Sequence, residues 1–327
     1  MRSLRRLPTS LLVLLALIVP PAIAGCGSTS DDGPAPPGSV KVLATTTQVG
    51  DFVRAVGGER VQVVQVLQPN SDPHEYEPRP DDVRALLEAP LVVESGDGID
   101  AWMDKVVDAS GADPRVVVLA DANVARVAGE GSGPEASRYD PHWWHDPRNA
   151  EAAVPAIRDA LSRANPSAAS VYARNARAYL RQLRRLDAGI AACMRRVPPT
   201  QRKLVTDHDA FGYFARRYGI DVVGAVIPSQ TTAAQPSAGD VAQLTDTIRR
   251  ERVHAVFPEQ SLSQKLARAI ARETGASADY ELYGDTLGPA GSDGATYLGM
   301  ERHNADAMVR GFTAGRQHCR LGAAGSR

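Results

Sequence analysis

The chain has 327 residues, with 37 Lys and Arg against 38 Asp and Glu, for a formal net charge of −1. That length holds two ordinary domains or one large one. So balanced a charge gives no sign of the basic surface that nucleic-acid binding needs, and no nucleic-acid partner is expected.

The chain opens with a targeting segment. Arg2, Arg5 and Arg6 form a positive n-region, and Leu11 to Ala24 a short apolar core. Pro20, Pro21 and the shortness of the run argue against a membrane-spanning helix. The run ends Ile23-Ala24-Gly25-Cys26, small residues before a cysteine, similar to the lipobox of bacterial lipoproteins. Residues 1–25 are therefore expected to be a lipoprotein signal peptide, Cys26 a lipidated N-terminus, and residues 26–39 a flexible Gly/Ser/Asp/Pro-rich tether. Loss of Arg2, Arg5 and Arg6 with the leader leaves 34 basic and 38 acidic residues, a formal charge of −4. The product is a soluble body on a lipid anchor outside the cytoplasm, at the outer face of the plasma membrane or in the periplasm. Cys193 and Cys319 remain after lipidation, and an exported compartment permits them to form a disulfide.

Val40–Thr46 reads as a strand, Asp51–Val56 as a short helix and Val61–Leu67 as a second, alternating strand. The second strand runs into the loop Asp72-Pro73-His74-Glu75-Tyr76-Glu77-Pro78. Helix over Pro80–Leu87, strand over Leu91–Val93, helix over Ala101–Ala109 and strand over Val116–Leu119 follow, a pattern of parallel sheet covered on both faces. Asn123–Tyr139 has no periodicity and reads as a mobile loop. Asp140-Pro141-His142-Trp143-Trp144-His145-Asp146-Pro147 then leads into a helix, with Asp146 as N-cap and Pro147 in the first turn. Tyr172, Ala176, Tyr179, Leu183, Leu186 and Ile190 form one apolar stripe, which predicts a single helix of about 27 residues, roughly 40 Å long. Such a helix is a stiff strut between two lobes. After Pro198-Pro199 the alternation restarts: strands over Lys203–Thr206, Asp221–Ile227, Val253–Phe257 and Asp279–Tyr283, helices over Ala210–Tyr218, Asp240–Arg250, Ser263–Thr274 and Tyr297–Phe312. The expected fold is α/β, with two similar lobes, residues 40–146 and 194–327, joined by a helical segment over 147–193.

His74 and His142 lie in the first half, His208 and Asp285 in the second, each after or near the end of a predicted strand. Ligands of open α/β sheets bind beyond the carboxyl ends of the strands, so the four side chains point to a site in the cleft between lobes. A single histidine in a loop is ordinarily a solvated residue; three imidazoles and a carboxylate in matching places suit one transition metal. His145, three residues from His142, Asp209 and Glu259 are candidates for orienting the imidazoles from behind. His254 reads as structural, His303 and His318 as surface residues. An unperturbed imidazole titrates near 6.5, so metal binding is expected to weaken in mild acid.

These stretches, with His208-Asp209-Ala210-Phe211-Gly212-Tyr213 and Gly284-Asp285-Thr286-Leu287-Gly288, resemble the zinc/manganese-type solute-binding lipoproteins of bacterial ABC importers, periplasmic solute-binding protein family 9. The resemblance covers essentially the whole mature chain. It implies two α/β lobes linked by one rigid helix, metal held by His74, His142, His208 and Asp285, and delivery to an ABC permease with its ATPase by a monomeric receptor. Histidine rather than glutamate at position 208 matches the zinc-receptor subtype, so one Zn²⁺ is expected and Mn²⁺ is the alternative, with an adhesin role compatible with either. His145 departs from the pattern, at a place that is usually apolar. The loop before Asp140 lacks a His-rich run, so no auxiliary metal-collecting loop is expected. A secreted metallohydrolase, with Glu75 or Asp209 as base, is the remote alternative; four protein ligands close the shell that a catalytic zinc keeps open, so no enzyme is expected.

Overall fold

The computed structural model describes residues 37–131 and 137–322. The predicted signal peptide, Cys26 and most of the tether lie outside the described residues. In order, the elements are β1 (Val40–Ala44), α1 (Thr47–Gly57), β2 (Val61–Gln65), α2 (Pro80–Glu88), β3 (Leu91–Glu94), α3 (Trp102–Ser110), β4 (Arg115–Val118), α4 (Pro147–Ala164), α5 (Ala169–Arg195), β5 (Lys203–His208), α6 (Gly212–Tyr218), β6 (Asp221–Ile227), α7 (Ala238–Glu251), α8 (Lys265–Thr274) and α9 (Tyr297–Phe312).

The first sheet has the parallel order β2-β1-β3-β4. In the second, β5 pairs in parallel with β6. The expected strands over Val253–Phe257 and Asp279–Tyr283 are reduced to single parallel bridges, Thr206 with Phe257, Ala255 with Ser277 and Glu259 with Leu282. Pro258 explains part of this, because it has no N–H for a continuous ladder. Counted as bridged segments, the second sheet runs β6, β5, 255–259, 277–282, which is the order of the first. The chain is thus α/β, with parallel-strand sheets flanked by helices.

Alternation in the strands sorts side chains between two layers. Val42 and Ala44 of β1 face an inner core, and Leu43 faces the outer core formed with α2 and α3. In β5, Leu204 faces the same inner core and Val205 the outer core under α7 and α8. The inner core is continuous through both sheets and contains residues of α1, α4, α5, α6 and α9. Its axis is α5, whose 27 residues bury Tyr172, Ala176, Tyr179, Leu183, Leu186 and Ile190, the predicted stripe.

Two departures concern local signals. The first helix begins at Thr47, earlier than expected, because the Thr46 hydroxyl accepts the Val49 N–H at 3.3 Å and caps it. Of the predicted mobile loop, the described part is paired: Ala128 bridges Tyr139, and Gly129 N–H donates to Arg138 O at 3.1 Å. Residues 132–136 lie outside the described residues.

Cys193, at the end of α5, is bonded to Cys319 in the tail after α9, with Cα atoms 5.4 Å apart. Arg196 reinforces the join by donating to His318 O at 2.9 Å. The loop closed spans a sequence separation of 126, which on the chain-entropy account adds about 5 kcal/mol of stability. Replacing both cysteines by serine is expected to lower the melting temperature of the metal-free protein and abolish its sensitivity to reductant, read by thermal denaturation with and without dithiothreitol.

Candidate metal centre

The sequence contains one short pattern twice, Asp72-Pro73-His74 and Asp140-Pro141-His142. Each forms the same turn. The Asp Oδ1 accepts the backbone N–H of the histidine at 2.9 Å in both, and the proline between them restricts the backbone. Asp140 Oδ1 also lies 2.8 Å from His142 Nδ1, which turns Nε2 into the site. His208 closes β5, and Glu259 Oε1 holds both its backbone N–H at 3.1 Å and its Nδ1 at 2.8 Å. Asp207 Oδ2 in turn accepts the Glu259 N–H at 2.7 Å.

Asp285 arrives on a loop gripped by the first half of the chain. Gln48 Nε2 donates to Asp285 O at 2.9 Å, the Thr47 hydroxyl accepts the Leu287 N–H at 2.8 Å, and Trp144 Nε1 donates to Gly284 O at 3.3 Å. Gly284 is needed for close approach, since a Cβ there would stand 2.0 Å from Glu259 Oε2.

The four side chains converge, with ligand atoms all within 4.8 Å of one another. His142 Nε2 lies 3.3 Å from His74 Nε2 and 3.4 Å from His208 Nε2. Asp285 Oδ1 is 3.3 Å from His142 Nε2, and its Oδ2 is 3.4 Å from His208 Nε2 and 3.6 Å from His74 Nε2. A tetrahedral ion with ligands at about 2.0–2.1 Å separates them by about 3.3 Å, so the spacing suits a single ion at the centre. Both Asp285 oxygens are buried, and among the described residues they make no well-formed hydrogen bond; the imidazoles are their near neighbours, as for donor atoms awaiting a cation.

Electrostatics keep the metal-free site occupied by protons. Burial works to lower His142, but Asp140 and Asp285 outweigh it and hold His142 up at about 9. Burial is likewise outweighed at His208, where Asp285 and Glu259 keep the imidazole well above its ordinary value. Burial would raise Asp285, yet His208, His142 and His74 hold it well below the carboxylate range. At His74 burial dominates and pushes it down to about 3.

The remaining candidates fall outside this cluster. Glu259 stands behind His208 as described. His145 is fully buried, stacks on Phe211 with centroids 4.3 Å apart, and puts Nδ1 3.0 Å from Glu301 Oε1. Burial pushes His145 down to about 3 and Glu301 well up, so this is a contact between neutral groups. The backbone of Asp209 anchors the loop after β6, its N–H donating to Ser229 O at 2.9 Å. Glu75 is exposed. His254 is exposed rather than structural, because the predicted strand around it does not form; His303 is half-buried against Tyr283, and His318 is exposed. Sequence reasoning does not single out Asp140 as a partner of His142; its signal is the repeated Asp-Pro-His turn.

Residues 42–311 match the family profile described as zinc-uptake complex component A, periplasmic, or ZnuA. The chain belongs to the ZnuA family. Among relatives, it is 31% identical over 306 residues to the manganese-binding lipoprotein MntA of Halalkalibacterium halodurans, covering 92% of this chain and 97% of that one. It is 30% identical over 272 residues to the iron-binding protein YfeA of Yersinia pestis, covering 83% and 86%. The solved structure of the periplasmic zinc-binding protein TroA from Treponema pallidum superposes with a TM-score of 0.77 at 30% identity, covering 84% of this chain and 99% of that one. These similar proteins carry names for three different metals.

Two outcomes are expected. Imidazole coordinates only when its Nε2 is unprotonated, so with His142 and His208 raised in the metal-free protein, binding at pH 7 should release about two protons. Apparent affinity should therefore rise with pH up to about 9, a wider window than the unperturbed imidazole value near 6.5 implies. Calorimetry of Zn²⁺ binding in buffers of different ionisation enthalpy measures the release; none would contradict this electrostatic picture. Asp140→Ala frees the His142 ring and should weaken Zn²⁺ binding by about 10–100-fold, measured by chelator competition.

Proposed function

We propose that this protein is the extracytoplasmic receptor of a metal ABC importer, which captures one Zn²⁺ and delivers it to a membrane permease powered by an ATPase. The observation that carries this reading is the spacing of three imidazole nitrogens and one carboxylate, near that of a tetrahedral shell. His74, His142, His208 and Asp285 are the proposed ligands. Four protein ligands leave no open position for a catalytic water, which favours a carrier over a hydrolase. Imidazole-rich shells suit Zn²⁺, whereas carboxylate oxygens suit Mn²⁺.

The receptor is proposed to act as a monomer tethered through a lipid on Cys26, with residues 40–146 and 194–327 as lobes about the helical segment 147–193. No helix among the described residues is long and apolar enough to cross a membrane. Mn²⁺ is the second reading. It is favoured by the similarity to manganese-binding MntA and by Asp285, whose two oxygens are turned to different imidazoles.

Metal-stripped wild type should bind one Zn²⁺ per chain in calorimetry. Three neutral imidazoles and Asp285 give the shell with Zn²⁺ a net charge of about +1, and His208→Glu makes it neutral while adding an oxygen donor. That variant should bind Zn²⁺ more weakly and shift its relative preference toward Mn²⁺. His145→Leu should leave Zn²⁺ affinity within a few fold, because His145 faces Glu301. Loss of binding in His145→Leu together with full Zn²⁺ affinity in His208→Glu would overturn the ligand set.

A further inference from the structure

The three imidazoles are not held alike. His142 and His208 are fully buried, and a carboxylate fixes each at Nδ1. The His74 side chain keeps 8% of its surface exposed, against 0% for the other two, and is the outermost of the set. Among the described residues no carboxylate holds its Nδ1. What positions His74 is its backbone, through the turn that Asp72 closes with Oδ1.

Asp72 is engaged on its other side as well. Its Oδ2 accepts the Thr232 hydroxyl at 2.6 Å, from the loop that follows β6 in the second half of the chain. Thr232 is buried, with 6% of its surface exposed. The same loop is joined to the first half again at Glu130, whose Oε1 accepts from the Ser229 hydroxyl at 2.7 Å and from the Gln230 N–H. Only the first of these joins reaches a residue that also holds a histidine of the metal site. Among the described residues, the Thr232–Asp72 hydrogen bond alone ties the turn carrying His74 to this loop; Asn70, just before the turn, is held to a different loop, its N–H donating to the Thr286 hydroxyl at 3.1 Å.

We propose that the Thr232–Asp72 hydrogen bond is a latch that positions His74, and that breaking it is the step by which bound metal is released. This rests on the reading of the four side chains as metal ligands. With the latch closed, Asp72 is pinned at both oxygens and the turn keeps His74 Nε2 in the shell. With it open, Asp72 can rotate, the turn loosens, and the least enclosed ligand leaves first. His142, His208 and Asp285 stay in place on their own supports. Asp72 and Thr232 are positioning residues: neither touches the ion.

The test is the rate of Zn²⁺ release from the full chain into an excess of chromogenic chelator by stopped flow, beside the melting temperature of the metal-free protein. Thr232→Val keeps the shape and removes the hydroxyl. It should speed release by about tenfold, the scale of one hydrogen bond to a charged group. Thr232→Ser should restore the wild-type rate, which a loss of packing alone would not do. Glu130→Ala, which removes the other join from the first-half side and leaves the Ser229 hydroxyl on the Thr231 N–H, should move the rate far less. Release from Thr232→Val at the wild-type rate overturns the latch, as does an equal acceleration by Glu130→Ala or a failure of serine to rescue. Wild-type protein that takes up no Zn²⁺ overturns the metal-binding reading itself, and is distinguished from failure of the latch by that first measurement.

Discussion

Everything about the site depends on one buried carboxylate among imidazoles. Asp285 has both oxygens inside the protein, and they face the Nε2 atoms of His74, His142 and His208. A lone carboxylate in that position would be costly to ionise. It stays ionised because protons on the imidazoles around it balance its charge, and a divalent cation does the same more completely. The surrounding structure holds that balance in place. Asp140 and Glu259 aim two of the rings, while Gln48 and Thr47 steady the Asp285 loop from the opposite half of the chain.

The fold supplies this arrangement by using one strand order twice. Four parallel segments end on the same side in each sheet, and the loops beyond those ends carry the four groups. His74 follows β2 and His142 follows β4; His208 ends β5 and Asp285 follows the last bridged segment. Crossing the switch point of such a sheet opens a crevice at its carboxyl edge. The two halves of the chain thus contribute two donors each to one centre.

Much of this was legible in the sequence, for reasons that differ by element. The stripe of α5 and the bounds of β6 and α9 agree with expectation because long periodic runs with Gly and Pro punctuation leave little ambiguity. The start of α1 was not legible, since Thr45-Thr46-Thr47 reads as strand and only the capping bond makes it a helix entry. The third and fourth segments of the second sheet have strand composition but pair through single bridges, because pairing is decided by neighbours far away in sequence. The convergence of His74, His142, His208 and Asp285 could be anticipated from their places after strands. The role of Asp140 could not be read from periodicity, since it lies in the geometry of a three-residue turn. His145 drew suspicion by proximity to His142, and the structure spends it on Glu301, a partner 156 residues away.

The continuous inner core has a mechanical consequence. The stripe of α5 is buried in the same apolar mass as the inward faces of both sheets. Swinging the two sheets apart like the halves of a clamshell would tear that mass and expose Tyr172, Tyr179, Leu183 and their neighbours to water, at roughly 1.5–3 kcal/mol for each large side chain. The body is therefore a rigid vice rather than a flytrap. Traffic of an ion through it falls to small parts, single turns and the loops beyond the strand ends, which move without disturbing the backbone of the machine.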